Sequence, residues 1–241
     1  MKIEPIQFDF SQKNVLIVGG SKGFGAALVS RFIKSNASVY YISRNPHSKN
    51  EGVHIQVDLS DTEALLLALK EIEKMHIDIV VNCAAINYAK KHDDIDIYEW
   101  EEVLRVNISS IFLICNAVLP LMKKNNYGKI VNVSSIAGRH RSIVSGIHYV
   151  TSKAALIGYT RQLAYEVGKW DINVNVVCPS QTKTAMYHAT MTKDKEKKLL
   201  NSIPIKRIGT VSEQIAPIMF LCSDDSSYMT GSVMDINGGQ I

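Results

Sequence analysis

Short apolar, β-branched runs recur along the chain. There are seven of them: NVLIV (14–18), SVYYI (38–42), VHIQV (53–57), DIVV (78–81), KIVNV (129–133), NVNVV (173–177) and SVMDI (232–236). Each run is almost wholly apolar rather than alternating, which is typical of strands buried on both faces of a parallel sheet. The pattern therefore predicts seven buried, parallel strands.

Helix-forming stretches separate most of these runs. GAALVSRFIKS follows the first strand, DTEALLLALKEIEKM begins with an Asp at the cap position, YEWEEVLRVNISSIFLICNAVLPLMKKN reads as one long helix, and YVTSKAALIGYTRQLAYEVGKW follows the fifth strand. Alternating strands and helices imply right-handed crossovers. The sequence thus predicts an α/β fold in a single domain (1–241): a doubly wound, Rossmann-like, seven-stranded parallel sheet with helices on both faces.

Composition and charge exclude several classes of protein. The 241 residues carry a net charge of +4, and the basic residues are scattered, so we expect no nucleic-acid partner. The cysteines Cys83, Cys115, Cys178 and Cys222 form no CxxC pair, which favours reduced core residues of a cytoplasmic protein. The N-terminus has no apolar signal region, and the uninterrupted apolar runs are far shorter than a membrane span.

A glycine-rich turn, VGGSKGFG, joins the first strand to an Ala-rich helix. Gly19, Gly23 and Gly25 give a GxxxGxG spacing. Glycines let the backbone turn sharply and approach a ligand closely, and the following helix N-terminus attracts a pyrophosphate. This position favours dinucleotide binding over an ordinary glycine-rich turn.

The second strand ends in Ser43 and Arg44, where NAD-binding folds carry an acidic residue. A carboxylate would repel a 2′-phosphate, whereas a guanidinium binds it, and Lys22 adds positive charge nearby. We therefore favour NADP(H), with NAD(H) as the alternative if Arg44 is only a solvated charge.

The stretch HYVTSK places Tyr149 four residues before Lys153. On a helix the phenol and the ammonium lie one turn apart on the same face. Taken alone, this spacing favours an ordinary surface pair, because Tyr and Lys are common and the spacing often arises by chance.

Together these features resemble the short-chain dehydrogenase/reductase family, one-domain type, from about Asn14 to Gly239. Further matching motifs are DL (58–59), NCAA (82–85), VNISS around Asn107, NVSS (132–135), CPSQTKT (178–184) and NGG (237–239). Single motifs of this kind are weak evidence, but their common order along the chain is specific.

The resemblance implies a catalytic set of Asn107, Ser135, Tyr149 and Lys153, with Ser135 chosen over adjacent Ser134 by alignment alone. It implies that Asp58 lies at the adenine, that Asn82 steadies the central strands and that Thr184 lies beside the nicotinamide. The predicted cofactor contacts are Gly19, Ser21, Lys22, Gly23, Phe24, Gly25, Ser43, Arg44, Asp58, Leu59, Asn82, Ala84, Tyr149, Lys153, Pro179, Thr182 and Thr184.

The chain departs from the family pattern at four places. Val18 replaces a Thr before the first glycine, NCAA replaces NNAG, and Ser180 replaces the Gly of a PG motif. The segment between Ser135 and Tyr149 is also about one residue longer than in many members. We expect the first three to affect the cofactor and the last to reshape the substrate pocket.

The implied reaction is hydride transfer between a nicotinamide and a carbonyl or secondary alcohol. A free phenol has a pKa of about 10, so we expect the Lys153 ammonium to lower the pKa of Tyr149 for acid–base work. Ser135 would bind the developing alkoxide. Asn107 would hold a water for a proton relay. A dinucleotide-binding regulator and a transient-redox epimerase are the alternatives on the same fold.

Two groups of basic residues favour a small carbonyl or alcohol substrate with an anionic handle. One group is Arg139, His140 and Arg141, and the other consists of Lys193, Lys195, Lys197 and Lys198. Solvated surface charges explain them equally well. His140 and His148 have no partners at ligand spacing, so we expect no metal site.

Two further expectations concern assembly and access. The predicted helices at 97–123 and 149–169 are apolar on more than one face, which favours a homo-oligomer, expected to be a tetramer. The segment 185–209, with Met186, Tyr187, Met191, Leu199 and Leu200, is predicted to be a mobile lid whose apolar residues line the pocket.

Overall fold

A seven-stranded parallel sheet forms the centre of the protein in a computed structural model, which describes residues 7–47, 49, 51–184, 187 and 191–241. The strands are β1 (Asn14–Val18), β2 (Ser38–Ser43), β3 (Val53–Gln56), β4 (Ile79–Asn82), β5 (Gly128–Val133), β6 (Ile172–Pro179) and β7 (Val233–Ile236). Their order is β3-β2-β1-β4-β5-β6-β7, and every neighbouring pair is parallel. The predicted doubly wound, Rossmann-like α/β fold is confirmed.

Helices cover the sheet on both faces. They are α1 (Gly23–Lys34), α2 (Thr62–Ile72), α3 (Ile97–Leu104), α4 (Ser110–Asn125), α5 (Ile136–Arg139), α6 (Ile147–Val167), α7 (Lys193–Ser202) and α8 (Val211–Cys222). Asp61, at the cap position expected from the sequence, accepts a hydrogen bond from the Ala64 amide and begins α2.

Two separate hydrophobic cores lie on the two faces of the sheet. Leu16 and Val18 of β1 belong to the core that also contains residues of α2, α4 and α6. Val15 and Ile17 belong to the other core, with residues of α1 and α8. Because successive strand residues point to opposite faces, a strand buried on both faces needs the unbroken apolar run seen in the sequence.

Strand β3 departs from the predicted two-sided burial. It lies at the edge of the sheet, and Val53 at its start is 56% exposed. An edge strand pairs with one neighbouring strand only, and fewer elements cover its side chains. An apolar run at the edge can therefore stay partly exposed.

The predicted long helix is interrupted. A π-helical turn, Arg105–Ser109, separates α3 from α4 and contains Asn107. Such turns insert one extra residue into the helical repeat and often occur at functional sites. The apolar pattern of the sequence carries no marker for this insertion.

One helical stretch, Ile97–Asn125, is long and apolar enough to cross a membrane by length and composition, with a mean hydropathy of 1.7. Counting only uninterrupted apolar runs missed this stretch. Yet 56% of its most apolar window is buried inside the protein, where α4 supplies much of one core. Burial in the core therefore explains why this stretch is so apolar.

A chain of buried polar side chains crosses from the sheet to α6. Asn82 Nδ2 donates to Asn132 Oδ1 at 2.8 Å, and Asn132 Nδ2 donates to Thr160 Oγ1 at 2.9 Å. All three residues are fully buried. Since a buried donor without a partner is costly, this chain fixes β4, β5 and α6 relative to one another.

We predict that Thr160→Val destabilises the protein by about 1–3 kcal/mol, because an isosteric side chain leaves the Asn132 amide without its acceptor. Urea unfolding curves with unchanged slope would measure the loss. Thr151→Val, at an exposed position of the same helix, is the control. Equal unfolding midpoints for the two variants would contradict a stabilising role for the chain.

Candidate active site

A cavity of about 480 Å³ opens along the carboxyl ends of the strands. Its walls include Gly19 after β1, Ser43 at the end of β2, Cys83 after β4, Ser134 after β5 and Pro179 at the end of β6. The strand order reverses between β1 and β4. In open α/β sheets this switch point, at the carboxyl ends of the strands, is where ligands bind.

The glycine turn forms one end of the cavity. A Cβ on Gly25 would lie 2.1 Å from the Gly19 carbonyl oxygen, so only glycine permits this tight turn. Gly23 has φ +56°, and a Cβ there would meet no described protein atom nearer than Thr184 Cγ2 at 3.8 Å. The turn is therefore tight within itself and open towards the cavity, which fits the close approach of a pyrophosphate.

Arg44 and Asp58 lie side by side in the wall of the cavity. Arg44 Nη1 is 3.9 Å from Asp58 Oδ2, and their side chains are 70% and 44% exposed. Burial alone would raise the pKa of Asp58, but hydrogen bonds from Ser60 and the charge of Arg44 outweigh it and lower that pKa. The Ser43 hydroxyl donates to Asn45 O at 2.6 Å and so shapes the turn that presents Arg44.

Tyr149 and Lys153 lie one turn apart on α6 and both line the cavity. Lys153 Nζ donates to Val133 O at 2.7 Å and lies 5.7 Å from the centre of the Tyr149 ring. Ser135 also lines the cavity, and its hydroxyl is near enough to the phenol to lower the pKa of Tyr149. These three side chains therefore share one part of the cavity wall.

The two adjacent serines have different environments. The Ser134 hydroxyl is buried and donates to the Lys153 carbonyl oxygen at 2.7 Å, which joins β5 to α6. Ser135 is partly exposed and caps α5 through the Ala137 amide. The hydroxyl of Ser135 can therefore reach a ligand, whereas that of Ser134 is used within the protein.

The expected lowering of the Tyr149 pKa by Lys153 is wrong for this structure. Burial raises the pKa of Tyr149, and the hydrogen bond from Ser135 offsets this only in part. The Lys153 ammonium donates to the Val133 carbonyl, and its charge does not offset the effect of burial on the phenol. Tyr149 is therefore a protonated phenol at neutral pH.

Asn107 does not line the cavity. Its Oδ1 accepts from the Ile86 amide at 2.9 Å, and its Nδ2 donates to Ile86 O and to Ser152 Oγ, each at 3.0 Å. Ser152 in turn donates to the Tyr149 carbonyl at 2.8 Å. Both amide hydrogens are therefore occupied, and Asn107 joins the loop after β4 to the helix that carries Tyr149.

Sequence reasoning missed a second connection between these elements. His148 is fully buried beside Tyr149 and lies 3.0 Å from Glu99 Oε1 on α3. Its Nδ1 accepts from the Tyr149 amide at 2.8 Å, which leaves Nε2 to donate to Glu99. Lys90 hydrogen-bonds the other carboxylate oxygen of Glu99. Since these partners are 49 and 9 residues from Glu99, no local spacing could have indicated the set.

Every predicted cofactor contact except Asn82 lines the cavity. Asn82 is fully buried behind it and bonds to Asn132, so we assign it a structural role instead. The wall also contains residues without a recognisable motif, among them Asn87, Tyr88, Glu102, Val144, Ser145 and Gln181.

The predicted lid is only partly described. Residues 185, 186 and 188–190 lie outside the described residues, as do the side chains of Lys193 and Lys195. Tyr187 and Met191 line the cavity as expected, and both also pack with Leu199 and Ile203 in a small core. Leu199 and Leu200 do not line the cavity, so the expectation for these two residues is wrong; Leu199 instead packs behind Tyr187 and Met191.

Gln240 joins the end of α7 to the loop after β6. Its Nε2 donates to Ser202 Oγ at 2.9 Å, and its Oε1 accepts from Ser180 Oγ at 2.8 Å. Ser180, the residue that departs from the family's PG motif, is thus connected through Gln240 to Ser202 at the end of α7.

Metal ligands and disulfides are not seen in the described part of the chain. No group of three or more His, Cys, Asp or Glu residues there could hold a metal ion. All four cysteines are free. Cys83 lines the cavity, and burial raises the pKa of its thiol to about 12, so it remains protonated.

Comparisons with known proteins agree with this geometry. A family model described as enoyl-(acyl carrier protein) reductase matches residues 18–240. A 3-oxoacyl-[acyl-carrier-protein] reductase FabG from Buchnera aphidicola is 34% identical over 257 residues, covering 99% of this chain and 98% of the relative. An acetoacetyl-CoA reductase from Allochromatium vinosum is 32% identical, with 93% and 96% covered.

A solved structure shows the same architecture. The 3-oxoacyl-[acyl-carrier protein] reductase from Brucella melitensis, with bound NAD, is 29% identical and has a TM-score of 0.86. The match covers 99% of this chain and 97% of that chain.

We predict a pH signature for Lys153. Burial lowers its pKa from 10.5 to about 8, so between these values the unfolded chain holds a proton that the folded protein has released. Stability should therefore rise with pH across this window, by about 3 kcal/mol at most. Urea unfolding at pH 7.5 and pH 10 measures the rise.

Lys153→Met should lack this rise, whereas Lys70→Met, at an exposed position of α2, should keep it. An equal pH dependence in wild type and Lys153→Met would show that the buried amine is not the source.

Proposed function

The chain belongs to the short-chain dehydrogenase/reductase family, whose members are NAD(P)-dependent oxidoreductases, and on that premise we propose a specific reaction. The protein interconverts a ketone and a secondary alcohol with NADP(H), and Tyr149 is the acid–base residue. The observation that carries this proposal is the meeting of Tyr149, Ser135 and Lys153 at one wall of a cavity that begins at a glycine turn.

Each of the three side chains has a distinct task. When bound, the nicotinamide supplies or accepts the hydride. In reduction, Tyr149 donates its phenolic proton to the carbonyl oxygen as negative charge develops there. Ser135 hydrogen-bonds the same oxygen and stabilises that charge. Lys153, held by the Val133 carbonyl, places a positive charge behind the ring of Tyr149 and offers its remaining hydrogens to the ribose of the cofactor.

Burial raises the pKa of the Tyr149 phenol, so at neutral pH the phenol holds the proton that a reduction would transfer to the carbonyl oxygen.

The preference for NADP(H) rests on the end of β2. Arg44 is largely exposed, and its distance of 3.9 Å from Asp58 is long for an ion pair, so the guanidinium is available for a 2′-phosphate. Lys22 lines the same end of the cavity. A related structure carries NAD, so the preference depends on this chain's own residues.

The relatives give the first substrates to assay. Their names specify 3-oxoacyl groups on acyl carrier protein and acetoacetyl-CoA, and both are 3-oxo thioesters. Such compounds contain the ketone that the proposed reaction needs. We therefore propose 3-oxoacyl thioesters, together with simple ketones, as the first test set.

We further propose a homotetramer and a cytoplasmic location. Phe112 on α4 is 49% exposed, and α6 exposes the small residues Ala154, Ala155 and Gly158. An exposed aromatic ring on one helix and a face of small residues on another are features that a second copy could cover. Residues 185–209 are proposed to close over the bound ligands, pivoting where Gln240 holds the end of α7.

We predict that Tyr149→Phe lowers kcat by at least ~10²-fold, because it removes the proton donor while keeping the ring. NADPH affinity, measured by fluorescence titration, should be retained. Tyr165→Phe, at an exposed position of the same helix, is the control and should keep full activity. Wild-type turnover by Tyr149→Phe would refute the proposed role.

We predict that Arg44→Asp weakens NADPH binding by at least ~10-fold while changing NADH binding much less, because a carboxylate repels the 2′-phosphate. Titration with both cofactors measures the ratio. Arg161→Asp, on α6 and outside the cavity wall, should leave both affinities unchanged. Tighter binding of NADH than NADPH to the wild-type protein would overturn the assigned preference.

A further inference from the structure

A second depression adjoins the cavity. It has a volume of about 600 Å³ and is open to solvent. Ser142, Val144 and Ser145 line both spaces, so the depression continues the cavity beyond Tyr149. A substrate whose carbonyl lies at Tyr149 can therefore extend into it.

The floor of the depression is apolar and close to Tyr149. Ile147 and Val150 line it and flank Tyr149 within the first turn of α6. Ile143 adds a third apolar side chain and is 58% exposed. Residues one or two positions apart on a helix point in different directions, so Ile147 and Val150 line the depression while Tyr149 lines the cavity.

The rim of the depression is basic. Lys91, His92 and Arg141 line it, and none of the described residues that line it is a carboxylate. Asp93 and Asp94 follow His92 along the chain but do not line the depression. The rim therefore carries basic side chains, while Asp94 and Asp96 lie near enough to Lys90 to raise the pKa of that amine.

Two neighbouring cations are already paired. Lys90 also lines the depression, but it hydrogen-bonds Glu99. Arg139 makes two hydrogen bonds to Asp235, each of 3.2 Å, and lies outside the depression. Within the described chain, Lys91 and Arg141 have no ion-pair partner. The basic group recognised in the sequence therefore does not form one cluster. Arg139 pairs with Asp235, whereas Arg141 and Lys91 line the depression.

We propose that this depression binds an anionic group, a carboxylate or phosphate, carried by the substrate beyond its ketone. The inference rests on the proposed function and names its substrate class: small oxo acids or phosphorylated ketones. The apolar floor covers the methylene spacer, while Lys91 and Arg141 bind the anion.

The test compares matched acids and esters. Oxo acids from 4-oxopentanoate to 6-oxoheptanoate, their methyl esters and acetoacetyl-CoA are assayed with NADPH by the wild type and a Lys91→Gln/Arg141→Gln variant. For the acids, KM should rise about tenfold in the variant, the combined effect of two exposed ion pairs. The esters should be unaffected, and the increase should shrink at high salt.

The control variant is Lys197→Gln/Lys198→Gln, which removes two exposed lysines of α7 outside the depression. It should leave KM for the acids and the affinity for NADPH unchanged. An effect in the control equal to that in the test variant would locate the anion site on α7 and overturn the proposal. Equal effects on acids and esters would also overturn it, as would an effect confined to acetoacetyl-CoA.

Failure of the proposed function gives a different result. In that case no ketone, acid or ester is reduced although NADPH binds. Calorimetric titration of 6-oxoheptanoate into the NADP⁺ complex then tests the depression separately. Binding that weakens in Lys91→Gln/Arg141→Gln supports the anion site without the reaction, and binding that is absent or unchanged overturns it.

Discussion

The arrangement of the site depends on hydrogen bonds exchanged between the end of β5 and the middle of α6. Lys153 Nζ donates to Val133 O, and Ser134 Oγ donates to the Lys153 carbonyl. Gly138 permits the approach, since a Cβ there would lie 2.6 Å from the Lys153 carbonyl carbon. A buried amine is costly without partners, so this contact fixes the rotation of α6. Tyr149, one turn earlier, and Ser135, on the same loop, take their positions from it.

The sheet could be predicted from the sequence because burial on both faces demands unbroken apolar runs, and seven such runs occur in order. The exceptions have physical reasons. Strand β3 lies at an edge, where an apolar run is not obligatory. The π-turn at Arg105–Ser109 adds one residue to the helical repeat, and Asn107 within it bonds to distant Ile86 and Ser152. Hydrophobic periodicity carries no record of such tertiary contacts.

The candidate site, like the fold, could be predicted from the sequence only in part. Residues set by local spacing, such as the glycine turn and the Tyr149–Lys153 pair, could be located from the sequence, and they line the cavity. Side-chain contacts between residues far apart in the sequence could not be located in this way. Glu99 lies against His148, and Arg139 turns away from Arg141 to Asp235. The pKa of Tyr149 likewise depends on burial, which only the folded chain defines.

The fastening of α6 has an evolutionary consequence. Gly138 packs on Lys153 at one end of the 139–148 segment, and His148 is held by Glu99 at the other. Residues 141–145 line the cavity or the adjoining depression and take no part in these two contacts. Mutation there can alter which molecules are accepted while Tyr149 keeps its position. The segment is thus where selection, natural or in the laboratory, can diversify the enzyme at the least risk to its chemistry.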